Sequence, residues 1–300
     1  MHNLYAESLS EFGSVVELSQ CRAWIIRRQV PDTQFYDAMG CYPIFSCGKW
    51  SKLYNDLESI KKGIVCLSMV TDPFGDYEVD YLRKCFPDVV IPFKKHFVID
   101  LSERPESFVS SHHLRNARKA LDNLEIEFCR EPAQFLNDWN GLYSVLIQRH
   151  GIKGITAFSK SSFKKQLSVP GLYLFRALHE GSTAGMILWY VQGQVGYYHL
   201  GAYSDTGYDH KASFALFRHC IGFFADLGLE WLSLGAGAGV ANDQKDGLTR
   251  FKQGWSTGER TAWFCGRIYD KQEYSKLVKL KNVRGSDYFP AYRKGEFEQD

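Results

Sequence analysis

The chain alternates between strand-like and helix-like runs of apolar positions. In the first hundred residues, Cys21–Val30 and Ile64–Thr71 read as strands, and helical stretches are expected at Trp50–Lys62 and Glu78–Cys85. Val98–Leu101 reads as a further strand, and the polar, proline-bearing stretch Ser102–Pro105 after it marks a junction. Two domains are therefore expected, residues 1–103 and 104–300. The second begins with a helix over Glu106–Asn123, a strand over Leu124–Cys129, and a helix with Phe135, Trp139, Leu142 and Leu146 on one face. Leu172–Leu178, Thr183–Val191 and Val195–Tyr203 follow as strands whose short connections suit an antiparallel meander. Asp209–Leu227 is helical with two adjoining apolar stripes, so it should be largely buried. A strand over Trp231–Leu234, a turn over Gly235–Asp246, a short helix through Lys252 and strands around Trp263–Tyr269 complete the order.

Composition narrows the class. With 300 residues, 45% hydrophobic content and 36 Lys+Arg against 34 Asp+Glu, the chain is globular, which excludes disorder, collagen and coiled coil. Its length exceeds what one hydrophobic core usually supports, again favouring two domains. A net charge of +2 gives no global basic field, so any nucleic-acid contact has to come from a local patch. The eight cysteines form no C-x-x-C pair and read as reduced core residues, which points to the cytoplasm. Met1–Gly13 carries Glu7 and Glu11 and no apolar run, unlike a secretory signal. The charge-free stretch Gly181–Ser204 is broken by Gly185, Gly193, Gly196 and Gly201, so a hairpin is expected and no membrane span. No histidine spacing supports zinc, so no metal is expected, and no Ser or Cys nucleophile motif stands out.

The run Asp246-Gly-Leu-Thr-Arg-Phe-Lys-Gln-Gly-Trp255 is a glycine-led short helix ending in Phe-Lys and Gly-aromatic. Together with the order of elements, it resembles the FemAB-like branch of the GNAT acyltransferase superfamily. Leu114-Arg-Asn-Ala-Arg-Lys-Ala120 is similar to the basic helix that opens the second half in that branch, and Tyr288-Phe-Pro-Ala-Tyr-Arg293 is similar to tails of uncharacterised bacterial members. The resemblance is strongest over residues 112–265. It implies an α/β (α+β) fold of two GNAT-like halves, each a mixed, mostly antiparallel sheet flanked by helices, with a single working cleft. It also implies an N-acyltransferase with acyl-CoA or aminoacyl-tRNA as donor co-substrate, no tightly bound cofactor, and a small or nucleotide-linked primary amine as acceptor. A charged tRNA would then be a partner. In this fold the fourth and fifth core strands diverge and leave backbone N–H groups to hold an acyl carbonyl and its oxyanion. By order these strands are Val195–Tyr203 and Trp231–Leu234, which makes Gly201, Ala202, Tyr203, Lys211 and Gly235 the expected donor-binding residues.

Other positions qualify that picture. The loop Ser204–Ser213 lacks the paired small residues that acetyl-CoA enzymes present to pyrophosphate, and Asp205 and Asp209 would repel phosphate. Lys211 would oppose that repulsion; the alternative is a solvated Ser/Asp helix cap. The place of the superfamily's tyrosine acid is taken by Arg250, which cannot be an acid at neutral pH but can bind phosphate or carboxylate. Lys252 is expected to neutralise charge beside it, and Phe251 either stacks on a ring or belongs to the core. His199 is the expected base, with Tyr197 and Asn242 as positioning groups. Arg115, Arg118 and Lys119 meet phosphates or are merely a solvated face; the apolar face of their helix is read as Leu114, Ala117, Leu121 and Leu124. Gly235-Ala-Gly-Ala-Gly239, followed by Val240, reads as a sharp turn at a strand end rather than a dinucleotide loop. The rival function is a non-catalytic GNAT-like module that binds RNA or a partner, favoured by the altered loop and missing acid and opposed by the retained Phe-Lys helix.

Overall fold

The computed structural model describes residues 1–237 and 246–296. In chain order its elements are α1 (Asn3–Ser8), β1 (Ser14–Leu18), β2 (Ala23–Gln29), β3 (Tyr36–Gly40), α2 (Leu53–Ser59), β4 (Cys66–Val70) and α3 (Val79–Cys85). Then come β5 (Val89–Asp100), α4 (Pro105–Phe108), α5 (Ser111–Leu121), β6 (Glu125–Cys129), α6 (Leu136–His150) and α7 (Lys160–Gln166). β7 (Leu172–His179), β8 (Ser182–Gln192), β9 (Val195–Tyr203), α8 (Asp205–Asp209), α9 (Ala212–Asp226), β10 (Trp231–Gly235), α10 (Gly247–Gln253), β11 (Gly258–Ile268) and α11 (Lys271–Leu280) follow. The chain divides into two units, residues 1–93 with 261–300, and residues 94–260.

The first unit has the strand order β1-β2-β3-β4-β11, antiparallel throughout except for the parallel pair β3/β4. Its core gathers Ile25, Phe45, Leu53, Leu57, Leu67 and Phe86, all buried. The last forty residues belong here, which departs from the expected division at 103/104. Phe264–Ile268 pairs antiparallel with Val70–Cys66, and Leu277 and Tyr292 share a cluster with Val30, Val65 and Cys66. Arg293 grips the fully buried Asp37 through two hydrogen bonds, Nε to Oδ2 at 2.6 Å and Nη2 to Oδ1 at 2.9 Å. A buried carboxylate without such a partner would be strongly disfavoured, so this fork anchors the tail.

The second unit has the order β5-β10-β9-β8-β7-β6, again antiparallel except for one parallel pair, β9/β10. Both sheets are thus mixed and mostly antiparallel with flanking helices, as expected. The meander β7-β8-β9 forms as its short connections implied. α9 buries Ala212, Leu216, Phe217, Cys220, Ile221 and Phe224, packing with Trp189, Ile187 and Phe175 of the sheet. Each fully buried Phe contributes roughly 2–3 kcal/mol through area removed from water. On the other side of the sheet, Phe163 of α7 meets Trp139 and Tyr143 of α6 edge-on.

Two expected helices are broken in two. Glu106–Asn123 splits at Val109 and Ser110, where Ser110 caps α5 by accepting the His113 N–H. Asp209–Leu227 is preceded by the separate turn α8, and Lys211 stands between the two in the left-handed region at φ 57°. Of the apolar face read above, Ala117 and Leu124 are buried and Leu114 packs against the core, but the buried face of α5 is wider and leaves Leu121 out. His113, Asn116, Ala117 and Ala120 are inside, whereas Leu121 is 43% exposed. Two polar side chains can be buried because each finds a partner on another helix, as described next.

Candidate active site

The decisive geometry lies in the parallel pair of the second unit. β9 and β10 pair only at Val195/Trp231, Gly196/Leu232 and Tyr197/Ser233. β9 then runs on to Tyr203 and β10 to Gly235 with no further partners in common. The pairing of the two strands therefore ends at Tyr197/Ser233. β10 ends because Gly235 turns at φ +73°, and a Cβ there would also lie 3.2 Å from Lys252 Nζ. A side chain there would be strained by the φ and would push on the lysine end.

Lys252 fills that place. α10 starts on Asp246, whose carboxylate caps the backbone N–H groups of Leu248 and Thr249. Three residues past the first capped turn, the helix delivers Lys252 inward, only 6% exposed. Its Nζ donates to the Ala236 carbonyl at 2.6 Å and stands 5.6 Å from the centre of the Tyr198 ring. Tyr198 is the first β9 residue past the ladder and Gly235 the last of β10, so the amine lies beside the tip of β10 at the end where the ladder stops. Burial is the main cause that pushes the Lys252 ammonium down to about 7; Lys94 adds to it and Asp246 opposes it. His96 of β5 lies at the same end of the strands, with Nδ1 3.5 Å from Ser233 Oγ. Burial, then Lys252 and Lys94, push His96 down to about 3, so it is neutral.

The expected residues do not all converge here. Arg250 is exposed, on the opposite side of α10 from Lys252, so the two do not act as one clamp. Phe251 packs edge-on against Phe214 and Phe217, at 5.1 and 4.9 Å between ring centres, which makes it a core residue. His199 corrects a second expectation. It is the extra residue of a bulge in β9, where Tyr198 faces Trp189 and Leu200 faces Leu188. Its ring lies among Phe158 and Tyr190 with Nε2 3.0 Å from Gln166 Oε1, on the α7 side of the sheet. Burial pushes it down to about 3, so it is a poor proton acceptor at neutral pH. Tyr197 shares the last paired position with Ser233. Asn242 lies outside the described residues.

Of the expected donor-binding residues, Gly201, Ala202 and Tyr203 lie on the stretch of β9 that pairs with β8 but no longer with β10, and Gly235 lies at the tip of β10. Gly201 has no room for a side chain, because a Cβ would be 2.6 Å from the Tyr198 hydroxyl and 2.7 Å from that of Tyr203. Lys211 instead reaches α5, donating to Asn116 Oδ1 at 2.8 Å. The loop before α9 is capped as a helix, with Ser204 Oγ accepting the Gly207 N–H at 3.2 Å. Arg115, Arg118 and Lys119 are exposed along α5 and make no ion pair among the described residues. Sequence reasoning missed His96, Tyr198 and His113, the last of which touches the Phe-Lys helix directly.

Among the described residues, no group of three or more His, Cys, Asp or Glu is placed to hold a metal ion, and no helix is long and apolar enough to cross a membrane.

Residues 110–253 match the family model of the acetyltransferase (GNAT) domain. The second unit thus carries a GNAT acetyltransferase domain, and the general activity of such a domain is acyl-group transfer. The fold is similar to that of FemX, whose crystal structure superposes with a TM-score of 0.69 at 14% identity, covering 91% of this chain and 93% of that one. The structure of L-PGS from Bacillus licheniformis gives 0.60 at 13% identity, covering 95% and 98%. The C-terminal domain of a putative lysylphosphatidylglycerol synthetase from Agrobacterium fabrum gives 0.59 at 13%, covering 93% and 91%. At these identities the likeness is one of fold. No curated protein sequence matches the chain.

Proposed function

We propose that the protein transfers an acetyl or aminoacyl group from acyl-CoA or aminoacyl-tRNA to a primary amine by direct attack in the β9/β10 gap. The observation that carries this reading is the end of the ladder at Tyr197/Ser233 with the Lys252 amine held on the Ala236 carbonyl just past the tip of β10. The amine nitrogen bonds to the acyl carbon while the carbonyl electron pair moves onto oxygen. Backbone N–H groups of the Gly201–Tyr203 stretch and of Gly235 stabilise that oxyanion. Collapse breaks the bond to the donor's sulfur or ribose oxygen, and the leaving group takes up a proton. Lys252 in its neutral form accepts the proton that the attacking nitrogen loses, a task suited to a group titrating at about 7.

The exposed row Arg115, Arg118 and Lys119 suits phosphates of a nucleotide-linked acceptor or a tRNA end. Arg250, exposed at the end of the same short helix, suits a further phosphate or a carboxylate. A cytoplasmic setting agrees with eight buried cysteines, none in a disulfide. The name lysylphosphatidylglycerol synthetase borne by one fold relative agrees with an aminoacyl donor, as does the helix-capped loop before α9. Thermal shift with acetyl-CoA, CoA and aminoacyl-tRNA tests the donor. A ligand at about 100 times its Kd adds about 2.7 kcal/mol to the folded state and raises Tm. A rise with one donor class and not the other names it; no rise with any of the three rejects the transfer reading.

A further inference from the structure

We propose that His113 is a positioning residue that holds the peptide bond joining Phe251 to Lys252, and with it the Lys252 side chain, in place at the strand gap. The role rests on Lys252 being the working group of that gap. Helix α10 ends at Gln253, and the last carbonyls of a helix need partners from outside its own ladder. The following turn supplies three of them. The Arg250 carbonyl accepts from the Gly254 N–H, that of Lys252 from Trp255, and that of Gln253 from Ser256. The Phe251 carbonyl is bonded instead by His113 Nε2, at 3.0 Å, from α5.

The histidine is built to give that bond. A carbonyl only accepts, so Nε2 carries the proton. Nδ1 then has a lone pair, and it meets the Ser110 hydroxyl at 2.7 Å. Ser110 Oγ also accepts the His113 backbone N–H at 3.2 Å, which directs its own proton toward the ring. A second strap runs beside the first, from the Ser110 N–H to the Gly254 carbonyl at 3.0 Å. The ring is enclosed by Phe214, Phe251 and Trp255, with centres 5.1, 5.5 and 5.2 Å away. Burial, with His112 adding to it, lowers the His113 imidazolium below its ordinary range against the opposing Phe251 bond, which keeps the ring neutral. Gly254 has no space for a side chain because a Cβ would fall 2.3 Å from the His113 ring. The N-terminus of α5 and the C-terminus of α10 are therefore joined through one imidazole, at the peptide next to the lysine.

The experiment reads Lys252 itself, without a substrate. In the full chain labelled with 13C at lysine Cε, the resonance missing from Lys252→Met identifies this side chain, and its pH midpoint reports its surroundings. The charged and titratable groups facing Nζ are Asp246, Lys94, His96 and Tyr198; those at the His113 ring are His112 and Ser110. His113→Gln keeps an N–H donor and leaves the midpoint near 7. His113→Leu frays the last turn and admits water to the ammonium, raising the midpoint by about one pH unit or more, a tenfold change in the protonation ratio. Gly254→Ala pushes the intact ring off its carbonyl and raises the midpoint in the same direction. An unchanged midpoint in folded His113→Leu, or in Gly254→Ala should His113→Leu fail to fold, overturns the role. Should transfer prove independent of Lys252, the midpoint still reports on His113, so the two readings fail separately.

Discussion

The two units contain the same arrangement, a three-stranded meander followed by a parallel strand and then an antiparallel one, yet they finish the parallel pair in opposite ways. In the first unit β3 and β4 pair at Ala38/Leu67 and Met39/Ser68, and the chain then returns to close the seam. Phe45 bridges to Thr71, its N–H donating to the Val70 carbonyl at 2.6 Å and its carbonyl accepting from Asp72 at 2.9 Å. Its ring is fully buried, edge-on to Trp50 at 5.7 Å between centres. In the second unit the ladder stops at Tyr197/Ser233, and a lysine amine bonds the Ala236 carbonyl just past the end of β10. One seam is closed by backbone bonds and an aromatic ring, and the other is kept open around a group that can move a proton. A fold shared by two units need not give both a site, and the proposed transfer rests on the few residues just beyond the last strand pair of the second unit.

The strongest way to break this comparison is to remove the lysine. Lys252→Met keeps the stem and deletes the amine, and kcat is expected to fall about 10²- to 10⁴-fold, the usual worth of a general base. The same change replaces a buried cation by an apolar group, so Tm should hold or rise. A variant that turns over as fast as wild type on an identified amine would reduce the gap to an architectural feature.

The converse change tests the closed seam. Phe45→Ala empties a fully buried ring site and should cost about 3–5 kcal/mol of stability, read as a lower urea midpoint at constant m-value. Turnover per folded molecule should stay at the wild-type level. If instead kcat falls with the fold intact, the first unit's seam contributes to the chemistry and the asymmetry between the units disappears.

The legible and illegible parts of the sequence divide along the same line. Val195–Tyr203 could be read as a strand because its residues alternate and its hairpin turn is short, and it is β9 to the residue. The short helix carrying Lys252 was equally plain, since Asp246 and Gly247 announce its start. What local pattern could not reveal was which partner each segment finds across the fold. β1 and β3 are five-residue strands without a long apolar run, and they escaped notice. The tail from Thr261 onward read as part of the second domain, because only the pairing of β11 with β4 and the Arg293–Asp37 fork show otherwise. His113 read as neither stripe of its helix, since its reason for being buried is a carbonyl 138 residues away. His199 stands out as a titratable residue on a strand, but the enclosure that makes it neutral is assembled from Phe158, Gln166 of α7 and Tyr190 of β8.

The finest test is the pH dependence of turnover, which separates Lys252 from His199 as the group that takes the proton. A lysine whose ammonium titrates at about 7 is charged below that value and neutral above it. If the neutral amine is the base, kcat/KM rises tenfold per pH unit up to about 7 and then levels, each decade corresponding to about 1.4 kcal/mol. A His199 base pushed down to about 3 would be deprotonated throughout that range and would give a flat profile. His199→Gln should therefore leave both the limb and its midpoint in place, whereas Lys252→Arg, which keeps a charge but cannot surrender it near neutrality, should abolish the limb. A limb of opposite slope, with activity falling as pH rises through 7, would assign the charged ammonium to the oxyanion or a donor phosphate. The open seam would then act by holding charge, and the proton of the attacking amine would leave to water.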